Sequence, residues 1–170
     1  SVSRSGLSQG THTGEISFTS NGGNGTVQVQ MEVTPSLAVS ESSLDFGSEL
    51  NSLTFSITNP GGGDLEWTLS SNSAWLTLSP ASGTSQADED VVTVSVDRTE
   101  LNGGDYTGVV SISSNGGNAT IGISMNVPFP PELLVTPGSL DFGTSTETMT
   151  MNILNNGDGV LNWTITTDQG

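Results

Sequence analysis

The sequence predicts an all-β fold, built as antiparallel Ig-like β-sandwich repeats of about 95 residues in tandem. Three observations carry that expectation. Apolar residues alternate with polar ones at period two, glycine-rich turns punctuate the alternation, and a long block of sequence occurs twice. Residues 4–33, RSGLSQGTHTGEISFTSNGGNGTVQVQMEV, align without a gap onto residues 98–127, RTELNGGDYTGVVSISSNGGNATIGISMNV. The alignment matches Arg4 with Arg98, Leu7 with Leu101, Gly10 with Gly104, and the whole SNGGN turn. SLDFG at 43–47 likewise recurs at 139–143, and Trp67 recurs as Trp163. The phase of the repeat divides the chain into three parts. Residues 1–34 read as the C-terminal half of one repeat, 35–128 as a complete repeat, and 129–170 as the N-terminal half of a further one. Half a sandwich exposes an apolar face and open strand edges, so each outer part is expected to need a partner.

Within the complete repeat the elements follow in order. A strand segment is expected over 36–46. Leu53, Phe55 and Ile57 then alternate with Thr54 and Ser56, and the turn NPGGGD follows. Leu65, Trp67 and Leu69 alternate with Glu66 and Thr68, which makes a second strand with one buried and one wet face. A short strand at 75–79 leads into SPASGTS, which reads as a turn. Val92, Val94 and Val96 alternate with Thr93 and Ser95. Tyr106, Gly108, Val110 and Ile112 run into SNGGN, and Ile121, Ile123, Met125 and Val127 run out of it, as in a long hairpin with a glycine turn. No segment has a helical period.

Composition narrows the function. Two cationic residues stand against 18 acidic ones, a formal charge of −16 with the single His neutral. Nucleic acid and anionic lipid both require clustered Lys and Arg, so neither is an expected partner. The chain has no cysteine, which removes disulfides, thiolate nucleophiles and Cys-ligated metals. Hydrophobic residues make up only 32%, which suits thin sheets with small polar outer faces, while the clear alternation argues against disorder. No apolar run approaches the roughly 18 residues of a membrane helix, so direct membrane insertion is not expected. The chain starts at Ser1 with neither an initiator Met nor a leader, and is expected to be a mature or excised piece of something larger.

Candidate sites are few. A Ser-His-Asp relay needs an oriented His, and the one His, His12, aligns with Tyr106 on the inward parity, where a ring with a polar edge is structural. Asp88, Glu89 and Asp90 are the densest acidic cluster, but they sit in a Ser/Gly-rich stretch and are expected to be a solvated loop. Adjacent carboxylates do not straddle a sugar, and no DxDxDG spacing for Ca²⁺ is present. Trp75 differs in parity from Leu76 and Leu78 and is the candidate for carbohydrate contact. Asn24, Asn118 and Asn162 head N-x-[ST] sequons, two of them at the repeated turn, where Asn also suits positive φ. Arg4 and Arg98 share a repeat position at a strand end, where a guanidinium can cap carbonyls or pair with Asp45 or its repeat mate Asp141. No catalytic residue, cofactor or metal ligand is expected.

The frame LxVSxxSLDFG, TFSITNxGxGxLxW, WLTLSPxSGT, VTVSVDR and YTGxxxIxSNGGNATIxIxMxV resembles the tandem Ig-like repeats of the BACON type, found in secreted and surface proteins of bacteria and their phages. The resemblance extends over the complete repeat and both halves. It implies a spacer or adhesin stalk module, with a carbohydrate-binding role suggested by the enzymes such repeats accompany. The expected protein is thus a non-enzymatic structural or adhesive segment of an extracellular, cell-surface stalk or filament. Its expected partners are copies of itself, joined head-to-tail through complementary half-domains, or adjacent repeats of one longer covalent array from which this chain is a window. The window is the favoured expectation, because joining the ends would leave out a counterpart of Trp75 and most of a core strand. The alternative is a carbohydrate-binding module of a secreted protein, with surface glycans as partners.

Overall fold

A computed structural model of the chain describes residues 2–4, 6–86 and 88–168. Every regular element among them is a strand, and most strands pair antiparallel. Two long strands come first, β1 (Gly10–Ser20) and β2 (Gly23–Val33), which pair only with each other. The middle of the chain forms a closed sandwich. Its strands are β3 (Ala38–Val39), β4 (Ser43–Asp45), β5 (Ser52–Thr58), β6 (Leu65–Ser71), β7 (Leu76–Ser79), β8 (Ser82–Ser85), β9 (Glu89–Val96), β10 (Gly104–Ser114) and β11 (Gly117–Val127). Last come β12 (Leu133–Thr136) and β13 (Asn152–Asn155), again paired only with each other.

The sandwich packs a five-stranded sheet, ordered β4-β11-β10-β6-β8, on a four-stranded sheet, ordered β3-β5-β9-β7. Period-two alternation places Phe55 and Ile57 of β5, Val92 and Val94 of β9, and Ile121 and Ile123 of β11 between them, all fully or nearly fully buried. The outward residues of the same strands are mostly Ser, Thr and Asn, with Glu89, Val91 and Gly122 among them, which accounts for much of the low apolar content.

Two elements differ from the sequence expectation. Segment 36–46 is two strands rather than one: β3 pairs with β5 in one sheet, and β4 crosses to pair in parallel with β11 in the other. SPASGTS is also more than a turn. Its residues Ser82–Ser85 form β8, which pairs with β6 and has no large apolar side chain because it lies against the Trp67 ring. A Cβ at Gly83 would fall on the Trp67 indole, so the position takes glycine.

Chain entry to the sandwich is also tight against glycine, at Gly61 and Gly116. A side chain at Gly61 would run into the backbone of Thr34 and Ser36, and Gly157 stands in the same relation to Pro130 and Glu132. The linker before each strand pair therefore crosses a glycine of the loop that follows it. Asn59 reinforces the first crossing: its side chain accepts the N–H groups of Ser36 at 3.0 Å and Gly61 at 3.1 Å and donates to Gly63 O at 2.8 Å. Asn155 repeats all three bonds with Glu132, Gly157 and Gly159 at 3.0, 3.1 and 3.0 Å.

Candidate functional site

The two-stranded sheets at the two ends carry much of the exposed apolar surface. β1 and β2 pair in the same register as β10 and β11, from Gly10 opposite Val33 to Ser20 opposite Gly23, matching Gly104 opposite Val127 to Ser114 opposite Gly117. Burial differs completely. Ile112 is 2% exposed while Phe18, at the aligned position, is 55% exposed; Val110 is 0% and Ile16 is 51%. Val27, which aligns with the buried Ile121, is also open to solvent.

The C-terminal strands show the same relation to the first strands of the sandwich. Leu134 opposite Leu154 and Val135 opposite Ile153 repeat the pairing of Ala38 with Thr58 and Val39 with Ile57. Trp67 is 2% exposed and its mate Trp163 is 52%. Phe142, which aligns with the fully buried Phe46, is likewise exposed, as is Met151, the counterpart of Phe55. Both ends thus display in water the side chains that the sandwich packs inside.

Arg98 shows what a closed sandwich does with its cation. Its Nε donates to Asn126 O at 3.2 Å, one Nη to Leu50 O at 2.9 Å and Asn51 Oδ1 at 2.7 Å, and the other Nη to Gly47 O at 2.9 Å. The guanidinium ties the loop after β4 to the end of β11. It takes no carboxylate: Asp45 is instead held by the Gly47 N–H at 3.1 Å and the Ser124 hydroxyl at 3.0 Å, which keep its carboxyl below the usual aspartate range. Asp141 repeats the first contact, accepting the Gly143 N–H at 2.9 Å. Arg4 repeats one contact of Arg98, Nε donating to Glu32 O at 3.2 Å, and its two Nη groups have no hydrogen-bond partner among the described residues.

The remaining candidates are placed as follows. His12 Nε2 lies 2.8 Å from Ser8 O, the position in which the Tyr106 hydroxyl donates to Asn102 O at 3.0 Å, so the two rings share one structural slot. Asp88, Glu89 and Asp90 do not form a uniform solvated loop. Glu89 and Asp90 open β9, and Asp90 Oδ2 accepts the Trp67 indole N–H at 2.9 Å and also the Ser85 hydroxyl, because strand parity turns it toward the core. Trp75 is half-buried, packed against the core with its ring edge-on to Tyr106 at 6.3 Å between centroids. Asn24, Asn118 and Asn162 are exposed, and none has positive φ; the turn's left-handed residues are glycines such as Gly117 at φ 126°. Among the described residues no group of three or more His, Asp or Glu is arranged to hold a metal ion, and no helix is long and apolar enough to cross a membrane.

With this geometry in place, sequence comparison assigns the family. The model of the viral BACON domain matches residues 36–126 and again 132–170. The chain belongs to the viral BACON domain family. The two matched segments meet between the sandwich and the C-terminal strands, where the linker follows β11. BACON domains are a non-catalytic family. Among solved structures, the chain is similar to the CsuC–CsuE chaperone–tip adhesion subunit complex of Acinetobacter baumannii, at 6% identity over 54% of this chain and 52% of that one, TM-score 0.50. It is also similar to the PapD-like domain of human CEP192, at 16% identity over 57% and 88%, TM-score 0.48. The periplasmic chaperone SfaE matches at 8% identity and TM-score 0.48, over 54% of this chain and 56% of its own length. These likenesses concern the β-sandwich fold alone. No curated protein matches the chain in sequence.

Proposed function

We propose that this BACON chain is a non-enzymatic structural segment of an extracellular stalk or filament, made of tandem Ig-like repeats whose halves complete one another. Residues 1–34 and 129–170 are the two kinds of half, and 35–128 is the finished unit. The observation that carries the reading is the contrast at aligned positions: Trp67 is buried at 2% and Trp163 is exposed at 52%, although β13 pairs with β12 in the register that β5 uses with β3. Exposed surface that matches a core residue for residue is surface meant to be covered by the rest of that core. The strongly acidic surface and absence of cysteine suit a repetitive protein that remains soluble outside the cell.

Electron microscopy of the native material, paired with the intact mass of the denatured chain, tests this. Rods or fibres with an axial repeat are expected. Isolated compact particles would overturn the reading.

A further inference from the structure

On that reading, the structure also points to the partner of each half. We infer that the β1–β2 hairpin of one copy docks onto residues 139–167 of a second copy, in the register of the finished sandwich, and that Arg4 locks the joint against Glu147.

The register follows from the finished sandwich. There β10 lies antiparallel to β6, with Val110 opposite Ser71, Ile112 opposite Leu69 and Ser114 opposite Trp67, while β11 runs parallel to β4 with Ile123 opposite Leu44. Carried onto the aligned positions, Ile16 faces Thr167, Phe18 faces Ile165, Ser20 faces Trp163 and Val29 faces Leu140. Phe18, Ile165 and Trp163 are all more than half exposed in the free chain, so the pairing covers the surface that needs covering. It rebuilds four of the five strands of the larger sheet, all but the β8 edge, over β12 and β13. Counterparts of β7, β8 and most of β9 are not supplied by either segment.

Charge singles out the same contact. Arg98 grips Gly47 O, Leu50 O and the Asn51 amide. The aligned positions in the C-terminal segment are Gly143, Thr146 and Glu147, so the neutral Asn51 is replaced by a carboxylate. Arg4, the one other cation of the chain, is already fixed through Nε to Glu32 O as Arg98 is to Asn126 O. Its Nη groups would meet two carbonyls and a carboxylate, a charge-assisted grip stronger than the neutral one it mirrors. The loop that receives it is pre-shaped by the Asp141–Gly143 contact.

Within one copy the two halves attach to opposite ends of the sandwich, so the hairpin does not reach its own C-terminal segment, and it is the complementarity of Arg4 and Glu147 that points to a second copy as the occupant. The N-terminal segment touches the loop at Gly62 and Gly63 through Val33, Arg4 and Gln9, whereas Phe129 packs on Gly103. β10 runs between these ends, from Gly104 to Ser114, which pairs with Trp67 just beyond that loop. At about 3.3 Å per residue the separation is roughly 30 Å. Docking of this kind is heterologous and does not close, so it propagates head-to-tail.

The test uses the full chain, whose lack of cysteine removes background. Chains carrying Thr19→Cys are mixed with mass-tagged chains carrying Thr164→Cys, outward positions aligned with the directly opposed Ser113 and Thr68. Mild oxidation should join this pair roughly tenfold more than Thr19→Cys with Thr166→Cys, since a two-residue offset separates the sulfurs beyond disulfide reach. Arg4→Glu and Glu147→Arg should each weaken self-association about tenfold, and a chain with both changes should recover it. Equal cross-linking in both registers, or association indifferent to Arg4 and Glu147, overturns the inference. So does a chain that sediments as a monomer at about millimolar concentration, the range of the weakest specific contacts. That result leaves the structural reading intact if the native material is a rod formed by one long polypeptide, so the two failures are distinguishable.

Discussion

The indole N–H of Trp67 donates to Asp90 Oδ2 at 2.9 Å, and because β6 and β9 belong to different sheets, this bond joins the two layers of the sandwich. The fully buried Ser85 hydroxyl donates to the same oxygen. One carboxylate thus satisfies two donors that burial would otherwise leave without water.

Asp90→Ala should therefore destabilise the sandwich by about 2 kcal/mol, since it leaves the buried Ser85 hydroxyl proton without an acceptor and the Trp67 N–H with only the Ser85 oxygen at 3.1 Å. Asp90→Asn keeps an acceptor and should lose less. Urea unfolding followed by tryptophan fluorescence checks both, and equal stability of Asp90→Ala and the parent would sink the idea.

Arg98 and Arg4 should behave differently although they align. Arg98→Ala removes four hydrogen bonds that pin the loop after β4 to β11, and a loss of about 2–4 kcal/mol is expected. Arg98→Lys should recover only part, because a single ammonium cannot cover the fork. Arg4→Ala at dilute concentration should shift stability by less than about 0.5 kcal/mol, as for an exposed side chain with one bond. Thermal melts of the three variants decide the point.

Acid should unfold the sandwich partly through Asp45 and Asp97. The Gly47 N–H and Ser124 hydroxyl hold the Asp45 carboxyl below its ordinary range, and the Thr99 N–H and hydroxyl do the same for Asp97. A lowered folded-state pKa stabilises the fold above the unfolded value near ~3.9, and that contribution disappears as pH falls through the lower folded value. The melting temperature should hold from pH 7 to about 5 and drop below about 4. Asp45→Asn and Asp97→Asn should flatten that drop, and an unchanged acid limb in the double variant would count against it.

Gly61→Ala should cost about 1–3 kcal/mol, because the new methyl group meets the backbone of Thr34 and Ser36 and neither can retreat without loosening the Asn59 bonds. Gly25→Ala, with open space around it, is the matched control. A melt in which both variants coincide would show that the linker does not rest on Gly61.

Carbohydrate contact at Trp75 is tested separately. Its ring packs against Tyr106 and the core, so Trp75→Ala should lower stability by about 3 kcal/mol, as removal of a packed aromatic does. Tryptophan fluorescence should stay unchanged against a glycan panel. A saturable change that vanishes in Trp75→Phe would favour the carbohydrate module.

Strand positions were legible wherever large apolar side chains alternate, as in β5, β6, β9 and the β10–β11 hairpin. β8 was not, because SGTS lies on an aromatic face and needs no apolar residue of its own. The exposed faces at the two ends follow from aligning Phe18 with Ile112 and Trp163 with Trp67, a comparison within the sequence. The partners of Arg98 do not, since three of its four acceptors are backbone or backbone-adjacent carbonyls that carry no residue identity. Asp90 sits in a run of three acids; parity with Val92 turns it inward once β9 is known to begin at Glu89, and the stacking of one sheet on the other brings it to the indole.

The parallel pairing of β4 with β11 has a mechanical meaning. These strands lie near the two points where the chain enters and leaves the sandwich, and they run side by side through Gly122–Ser43, Ile123–Leu44 and Ser124–Asp45, extended by the bonds from Phe46 N to Ser124 O and Asn126 N to Gly47 O. Tension along the chain would pull them past each other in shear, loading these bonds together instead of unzipping them in turn. Arg98, whose guanidinium bridges Gly47 and Asn126, adds a side-chain tie across the same pair.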